Sequence, residues 1–276
     1  MVHRRTRVGL AFGPGAVDLV EAQPDLVDYL EMPFEQLRHA PALLATQDRA
    51  PLILHCASLS VAGFVNTPDA VVEAIARTCA LTETPWLGEH LAFISAEALD
   101  ADIDPGAAPT QLTYTVSPAY NEAVLERVAD NLRRYSARLD VPIILENPPL
   151  YFAAPGSTMG QADFIRELAS ATGVGLILDL SHLMISAYNM GAEAESEVDR
   201  LPLENVVEVH MSGHSLQSGV MWDDHAVTAP ESEFRLLDRV LDRVRPEAVT
   251  LEYNWDAFPP AVVRKHLARV HDLVAR

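Results

Sequence analysis

Nine histidine, aspartate and glutamate side chains stand at or just past the ends of apolar segments between residues 55 and 252. Imidazole nitrogens and carboxylate oxygens, without thiolates, suit iron, manganese or zinc. Five imidazoles and four carboxylates are enough for three divalent ions, with positions left open for water, substrate or oxygen. The candidate metal ligands are His55, His90, Glu146, Asp179, His182, His210, Asp223, His225 and Glu252.

Each of these residues, taken alone, also has a structural explanation. A single histidine at a strand end is often a hydrogen-bonded core residue, and Asp179 could cap a helix that leaves His182 at the surface. The choice between Asp223 and Asp224 as a ligand stays open. Glu146 is harder to explain structurally, because a carboxylate after an apolar run needs a partner cation. All of the last six predicted strands end in or near such a residue, and this coincidence favours a metal centre.

Eight short apolar segments predict the strands that must position these side chains. Their continuous apolar runs are typical of parallel strands that are covered on both faces. The predicted strands are Arg7–Phe12, Val27–Met32, Pro51–Cys56, Trp86–Phe93, Val141–Asn147, Val174–Leu180, Asn205–Met211 and Ala248–Tyr253. Helical patterns between or after them cover Pro68–Leu81, Pro118–Leu139, Met159–Ala171, Glu231–Val244 and Pro259–Ala275.

This alternation of strands and helices predicts an α/β fold, a (β/α)₈ TIM barrel in a single domain over residues 1–276. A parallel barrel gathers the C-terminal ends of its strands at one mouth, so ligands that are distant in the chain can meet there. The connections after the first two strands are the weakest part of the pattern. Ser95–Ser117 and His214–Pro230 are long enough to be active-site loops.

The composition excludes several other classes of protein. The net charge of −19 leaves no excess of basic residues to neutralise nucleic-acid or lipid phosphates. Lys265 is the only lysine, which argues against Schiff-base chemistry in the strand region. Cys56 and Cys79 do not suggest a disulfide framework. The first apolar stretch is too short for a signal peptide or a membrane span, so we expect a cytoplasmic protein.

Two weaker sets of residues could support the site. Glu31 and Glu89 could orient imidazole ligands, or could be ordinary polar groups at the barrel rim. Trp222, Tyr253 and Trp255 could line a substrate cleft, although aromatic packing explains them equally well.

The ordered set of ligands resembles the trinuclear site of the endonuclease IV-like and xylose isomerase-like TIM barrels. The sequence around the ligands resembles a narrower group, the multinuclear non-haem iron-dependent oxidases (MNIO), which include the methanobactin biosynthesis oxidase. The similarity runs from Val8 to about Trp255. The motifs that carry it are LHCASLSVAG, GEHLAF, LENPP, LDLSH and VHMSGH.

The resemblance implies three iron sites that share ligands. One ion would take His55, His90 and Glu146; a second would share Glu146 and add Asp179, His210 and Glu252; a third would take His182, Asp223 and His225. His214 would lie near the cluster as a catalytic, proton-handling group or a further ligand. His182 stands where members of the group often have asparagine, which brings this pattern closer to the endonuclease-like barrels.

The resemblance also implies the reaction. It indicates an oxidase with two or three iron ions that uses dioxygen to modify a ribosomally made precursor peptide, usually at cysteine, with a small companion protein that recognises the peptide. Zinc or manganese are alternative metals. A metal-dependent hydrolase or isomerase of the endonuclease IV or sugar isomerase type stays open as a second function, and a non-enzymatic metal-binding protein as a third.

Overall fold

Eight parallel strands close into a barrel in the computed structural model, which describes residues 5–96, 109–225, 228–253 and 259–276. The strands pair in chain order, and the last one closes the barrel by pairing with the first, Ala248 opposite Arg7. The predicted TIM barrel is therefore confirmed. The barrel strands are β1 Arg7–Ala11, β2 Tyr29–Pro33, β3 Leu52–Cys56, β4 Leu87–His90, β5 Ile143–Glu146, β6 Gly175–Asp179, β7 Val206–Met211 and β8 Ala248–Leu251.

At least one helix follows each barrel strand. The sequence pattern did not predict α1, α2, α6 or α7; two of these lie in the weak connections after the first two strands. The helices are α1 Pro14–Ala22, α2 Phe34–His39, α3 Asp69–Thr82, α4 Glu122–Ser136, α5 Gln161–Thr172, α6 Leu180–Met190, α7 Ala194–Arg200, α8 Glu231–Leu241 and α9 Pro260–Val274. Short 3₁₀ helices cover Pro24–Leu26, Pro41–Asp48 and Leu203–Asn205.

Two antiparallel hairpins lie outside the barrel. Phe93–Ala96 pairs with Thr110–Val116, and His214–Gln217 pairs with Val220–Asp223. The predicted fourth strand is therefore too long, because its barrel part ends at His90 and Phe93 already belongs to a hairpin. Both predicted active-site loops contain hairpin strands instead of irregular structure alone, and residues 97–108 of the first lie outside the described residues.

The core has two parts, as expected for a barrel wrapped by helices. The larger part lies between the strands and the surrounding helices. The smaller part fills the barrel interior with Tyr29, Ile53, Trp86, Ile144 and Ile177, together with Ala248. The interior is thus packed below the mouth and not open as a channel. No helix in the described residues is long and apolar enough to cross a membrane.

Helix α4 begins later than the sequence pattern predicts. The pattern runs from Pro118, but Asn121 caps the helix by accepting a hydrogen bond from the Val124 N–H at 3.0 Å. The helix buries an apolar face that includes Val128 and Tyr135. A polar cap therefore decides where the helix starts.

Candidate metal centre

All nine candidate ligands lie at the C-terminal mouth of the barrel or in the segments that follow its strands. Their donor atoms form three groups, and within each group the atoms lie within 4.8 Å of one another. The three groups contain the same residues as the sets that the family resemblance implies. They are His55, His90 and Glu146; Glu146, Asp179, His210 and Glu252; and His182, Asp223 and His225.

Glu146 links the first two groups because its two oxygens face different histidines. Its Oε2 atom lies 3.0 Å from His55 Nε2 and 3.2 Å from His90 Nε2. Its Oε1 atom lies 3.3 Å from His182 Nδ1 and 3.5 Å from His210 Nδ1. A carboxylate with one oxygen on each side has the arrangement of a ligand that bridges two ions. The end of β5 places it there, directly opposite His90 in the sheet register.

The third group combines a helix with a hairpin. His182 lies in the first turn of α6, where its Nε2 atom is 3.1 Å from Asp223 Oδ2. Asp223 ends the second hairpin, and its Oδ1 atom is 2.9 Å from His225 Nε2. The neighbouring Asp224 instead accepts a hydrogen bond from Ser215. Asp223 therefore belongs to the third donor group, whereas Asp224 contacts Ser215.

Asp179 is both a helix cap and a member of a donor group, two possibilities that its sequence position left open. It caps α6 because its Oδ1 accepts a hydrogen bond from the His182 N–H, and it also belongs to the second donor group. His182 is buried and not at the surface, because its Nδ1 atom also lies 3.0 Å from the Asn147 carbonyl oxygen. The helix cap thus brings both candidate ligands into the site.

Glu31 contacts the imidazole ring of a candidate ligand, His210, whereas Glu89 contacts the backbone of His90. Glu31 Oε1 lies 3.1 Å from His210 Nε2, and with His55 and His210 it forms a fourth group of donor atoms within 4.8 Å. Glu89 accepts hydrogen bonds from the His90 N–H at 2.9 Å and from the Cys56 thiol at 3.1 Å. The sequence did not predict Glu31 as part of a donor group, since it lies on a strand without any other candidate ligand.

Imidazoles and carboxylates in the centre shift each other's pKa. Burial lowers the pKa of His55, but its close contact with Glu146 and the charge of Glu31 outweigh burial and raise this pKa to about 10. Burial raises the pKa of Glu146, but the surrounding histidines hold it well below its ordinary value. A buried carboxylate that stays ionised requires positive charge beside it.

Several donor atoms of the centre have no hydrogen-bond partner among the described residues. They are His55 Nε2, Asp179 Oδ2, Asp223 Oδ1, Glu31 Oε1 and both ring nitrogens of His210. The 3.0 Å contact between His55 and Glu146 therefore lacks hydrogen-bond geometry. Buried polar atoms are nearly always paired, and a bound ion is one of the few explanations when they are not. The donor set and its convergent, unpaired atoms fit bound cations.

A cavity of about 1190 Å³ opens above the centre. Seven of the nine candidate ligands line it, and the other two, Asp179 and His210, lie deeper and are fully buried. Its walls also include several aromatic side chains that are exposed to solvent. These are Phe64, Tyr114, Phe152 and Trp222.

Of the other residues that the sequence suggested for the site, some line the cavity and some do not. Trp222 lines it and packs on Tyr151 with a ring-centroid distance of 4.7 Å. Tyr253 is buried, and its hydroxyl contacts His266 at 2.7 Å. His214 does not line the cavity; its Nδ1 atom lies 3.0 Å from Ser181 Oγ. Trp255 lies outside the described residues.

Proteins of known sequence and structure resemble this chain over most of its length. A UPF0276 protein of Bordetella parapertussis is 32% identical over 282 residues, covering 98% of this chain and 93% of that protein. A UPF0276 protein of Caulobacter vibrioides is 28% identical over 218 residues, 78% of this chain and 74% of that protein.

Solved structures show the same barrel at low sequence identity. A xylose isomerase domain containing protein from Salmonella typhimurium has a TM-score of 0.62 at 14% identity, with all of both chains covered. Endonuclease IV from Thermus thermophilus has a TM-score of 0.58 at 18% identity, with 98% of both chains covered. These similarities establish the fold and leave the reaction open.

A match to a protein-family model gives information beyond the fold. The model described as RiPP precursor modification enzyme MbnB/TglH/ChrH matches residues 7–275, where RiPP denotes a ribosomally synthesised and post-translationally modified peptide. The match includes every barrel strand and all nine candidate ligands. It confirms the resemblance drawn from the motifs around those ligands. The chain therefore belongs to the MbnB/TglH/ChrH family of RiPP precursor modification enzymes.

Proposed function

We propose that this protein is a multinuclear iron-dependent oxidase that modifies a ribosomally made precursor peptide, at cysteine, with dioxygen. The observation that carries the proposal is the position of Glu146 between two groups of imidazoles at the bottom of a large cavity. The family match supports a peptide as the substrate.

Three ions would be held by the three donor groups described above. A set of ligands that consists only of nitrogen and oxygen donors, with a carboxylate shared between two groups, suits iron. Zinc or manganese are alternatives. Iron held in this way would supply the one-electron redox chemistry and the binding of dioxygen that oxidation of a peptide requires.

The chain's own residues would orient the substrate and exclude water. The side chains of His90 and His225 are 24% and 33% exposed and face the cavity, whereas that of His210 is fully buried. Substrate would therefore approach the ligand groups of His90 and His225, and the His210 side would stay closed to water. The exposed aromatic residues at the rim offer apolar surface to an extended peptide.

His214 fits a supporting role better than direct contact with the substrate. Burial lowers its pKa, which favours the neutral imidazole. Its contact with Ser181 ties the second hairpin to α6, close to His182. We propose that it handles protons or holds the hairpin next to the third group. A small companion protein that delivers the peptide also belongs to this proposal.

Anaerobic reconstitution with Fe²⁺ followed by elemental analysis tests the central role of Glu146. We expect up to three ions per wild-type chain, the loss of two in Glu146→Gln, and the loss of one in the matched variant Glu252→Gln, which belongs to the second group alone. Equal iron content in all three proteins would contradict the bridging role.

Oxygen uptake tests the reaction itself. The iron-loaded wild type should consume dioxygen when mixed with a cysteine-containing precursor peptide encoded beside its gene, and Glu146→Gln should not. Full activity of metal-stripped protein would rule out the proposal. Protein that contains only zinc and cleaves abasic DNA would favour the hydrolase alternative.

A further inference from the structure

One face of α6 organises two of the segments that surround the third donor group. His182, Ser186 and Asn189 are spaced four and three residues apart, so they lie on the same side of the helix. Ser186 Oγ accepts a hydrogen bond from the Leu150 N–H at 2.9 Å. This face therefore holds the segment after β5 next to His182.

Asn189 joins that segment to the second hairpin. Its Nδ2 donates to the Leu150 carbonyl oxygen at 3.0 Å and to the Met221 carbonyl oxygen at 2.9 Å. Its Oδ1 accepts a hydrogen bond from the Met221 N–H, also at 2.9 Å. One amide thus pairs with both backbone groups of a hairpin residue, as a neighbouring strand would.

The hairpin that Asn189 holds supplies most of the third donor group. Asp223 is two residues after Met221 and ends the hairpin strand, and His225 follows it. His225 has a φ of 51°, a left-handed conformation that a non-glycine residue keeps only when its surroundings hold it. Trp222, which lies between Met221 and Asp223, packs on Tyr151 in the segment after β5.

We propose that Asn189 is a positioning residue that assembles the third metal site by fixing the hairpin against α6. His182 is already in place on α6, but Asp223 and His225 reach it only when the hairpin is docked. This inference rests on the proposed function, because it takes the third donor group to be an ion site. It makes ion binding at that group depend on a side chain that contacts no ion.

Titration of the metal-free protein with Co²⁺, whose visible absorption reports bound ions, tests the inference without any measurement of turnover. In Asn189→Leu the ion at the third donor group should bind about 10–100-fold more weakly, as is typical when a partner that orients ligands is lost. The other two ions should bind as in the wild type, and His182→Ala should bind only two ions.

Two further variants separate positioning from loss of stability. Asn189→Asp has the same size and keeps the acceptor for the Met221 N–H but loses the donors to Leu150 and Met221, so it should also weaken the third ion. Asn205→Leu is the matched control, because Asn205 is a half-buried amide that donates to the Val174 carbonyl oxygen at 3.1 Å, before β7. It should bind three ions.

The other possible results of the titration distinguish failure of this inference from failure of the proposed function. Three ions bound to Asn189→Leu with wild-type affinity would overturn the inference, as would an equal loss of the third ion in Asn205→Leu. A wild type that binds two ions, unchanged in His182→Ala, would overturn it and leave a two-ion enzyme possible. A wild type that binds no ions would instead reject the proposed function.

Discussion

Gly88, which lies beside His55, leaves too little room for a side chain. A Cβ atom added there would lie 2.7 Å from His55 Cδ2 and 2.8 Å from Ile177 Cδ1. Both distances are shorter than real contacts of a Cβ atom. The glycine in the GEH segment therefore lets the His55 ring take the position in which it faces Glu146.

The Gly88→Ala variant should displace His55 and weaken the first ion site. We expect the affinity for one ion to fall about 10–100-fold and the stability to fall by about 1–3 kcal/mol from overpacking. Metal titration and urea unfolding measure the two effects. Gly160→Ala is the control, since its nearest neighbours would lie 3.8 Å away or more; equal affinities in both variants would contradict this account.

Glu233 shows how a buried carboxyl outside the donor groups should make stability depend on pH. It is fully buried in α8 and accepts a hydrogen bond from the Ser212 N–H at 3.1 Å. Burial, followed by the charge of Asp179, raises its pKa well above the ordinary value. Folding therefore takes up a proton at intermediate pH, and the contribution of this carboxyl to stability falls as the pH rises above its ordinary pKa.

The Glu233→Gln variant removes this dependence and keeps the oxygen that Ser212 uses. Its unfolding free energy relative to the wild type should increase between about pH 5 and about pH 8, as measured by urea unfolding of metal-free protein. Glu231→Gln should instead stay nearly level relative to the wild type over this range and change mainly below about pH 5, because hydrogen bonds from Arg269 lower the pKa of Glu231. Parallel pH profiles for the two variants would refute the prediction.

At the scale of elements, the centre depends on where helices and hairpins begin and end. The cap of α6 places Asp179 and His182 together. The cap of α4 is Asn121, which lies at the end of the segment between the first hairpin and that helix. Asn121 also donates a hydrogen bond to the Gly156 carbonyl oxygen at 3.0 Å. It therefore joins the start of α4 to the segment after β5.

The Asn121→Ala variant should lose about 1 kcal/mol of stability, the usual effect of removing a helix cap. Its ion binding should stay unchanged, because Asn121 contacts no candidate ligand. Thermal or urea unfolding gives the stability, and Glu122→Ala, an exposed change in the same helical turn, should cost less than about 0.5 kcal/mol. A loss in Glu122→Ala as large as in Asn121→Ala would exclude capping as the cause.

At the scale of the whole molecule, the closed barrel concentrates acidic groups in a chain with a net charge of −19. Glu31, Glu146, Asp179, Asp223 and Glu252 all lie around one mouth. Bound cations would offset the repulsion between these carboxylates. Ions that bind only the folded chain stabilise it by mass action.

Removal of metal should therefore lower the thermal stability of the protein. At a free ion concentration about 100 times Kd, each independent site adds about 2.7 kcal/mol to the free energy of unfolding. Calorimetry with Fe²⁺ under anaerobic conditions and again with a chelator measures the difference. Glu146→Gln should show a smaller difference, and identical melting of wild-type protein in both conditions would contradict the prediction.

The sequence alone determined the barrel strands and the residue types at their ends. Apolar runs such as that before Glu146 are local signals, because a strand covered on both faces needs apolar residues on both sides. Helices with a clear apolar face, such as α4 and α8, were predictable because an apolar face is also a local signal in the sequence. The grouping of ligands into three sets came from the family resemblance and not from their spacing.

Only the tertiary structure decided which atoms face each other. It placed Asp223 beside His182, buried His182, brought Glu31 to His210, and formed a hairpin where the sequence predicted a loop. These outcomes depend on contacts between segments far apart in the chain, and side-chain periodicity within one segment carries no information about them. Strand pairing and the docking of α6 set the distances at the centre, because they fix how separate elements are placed relative to one another.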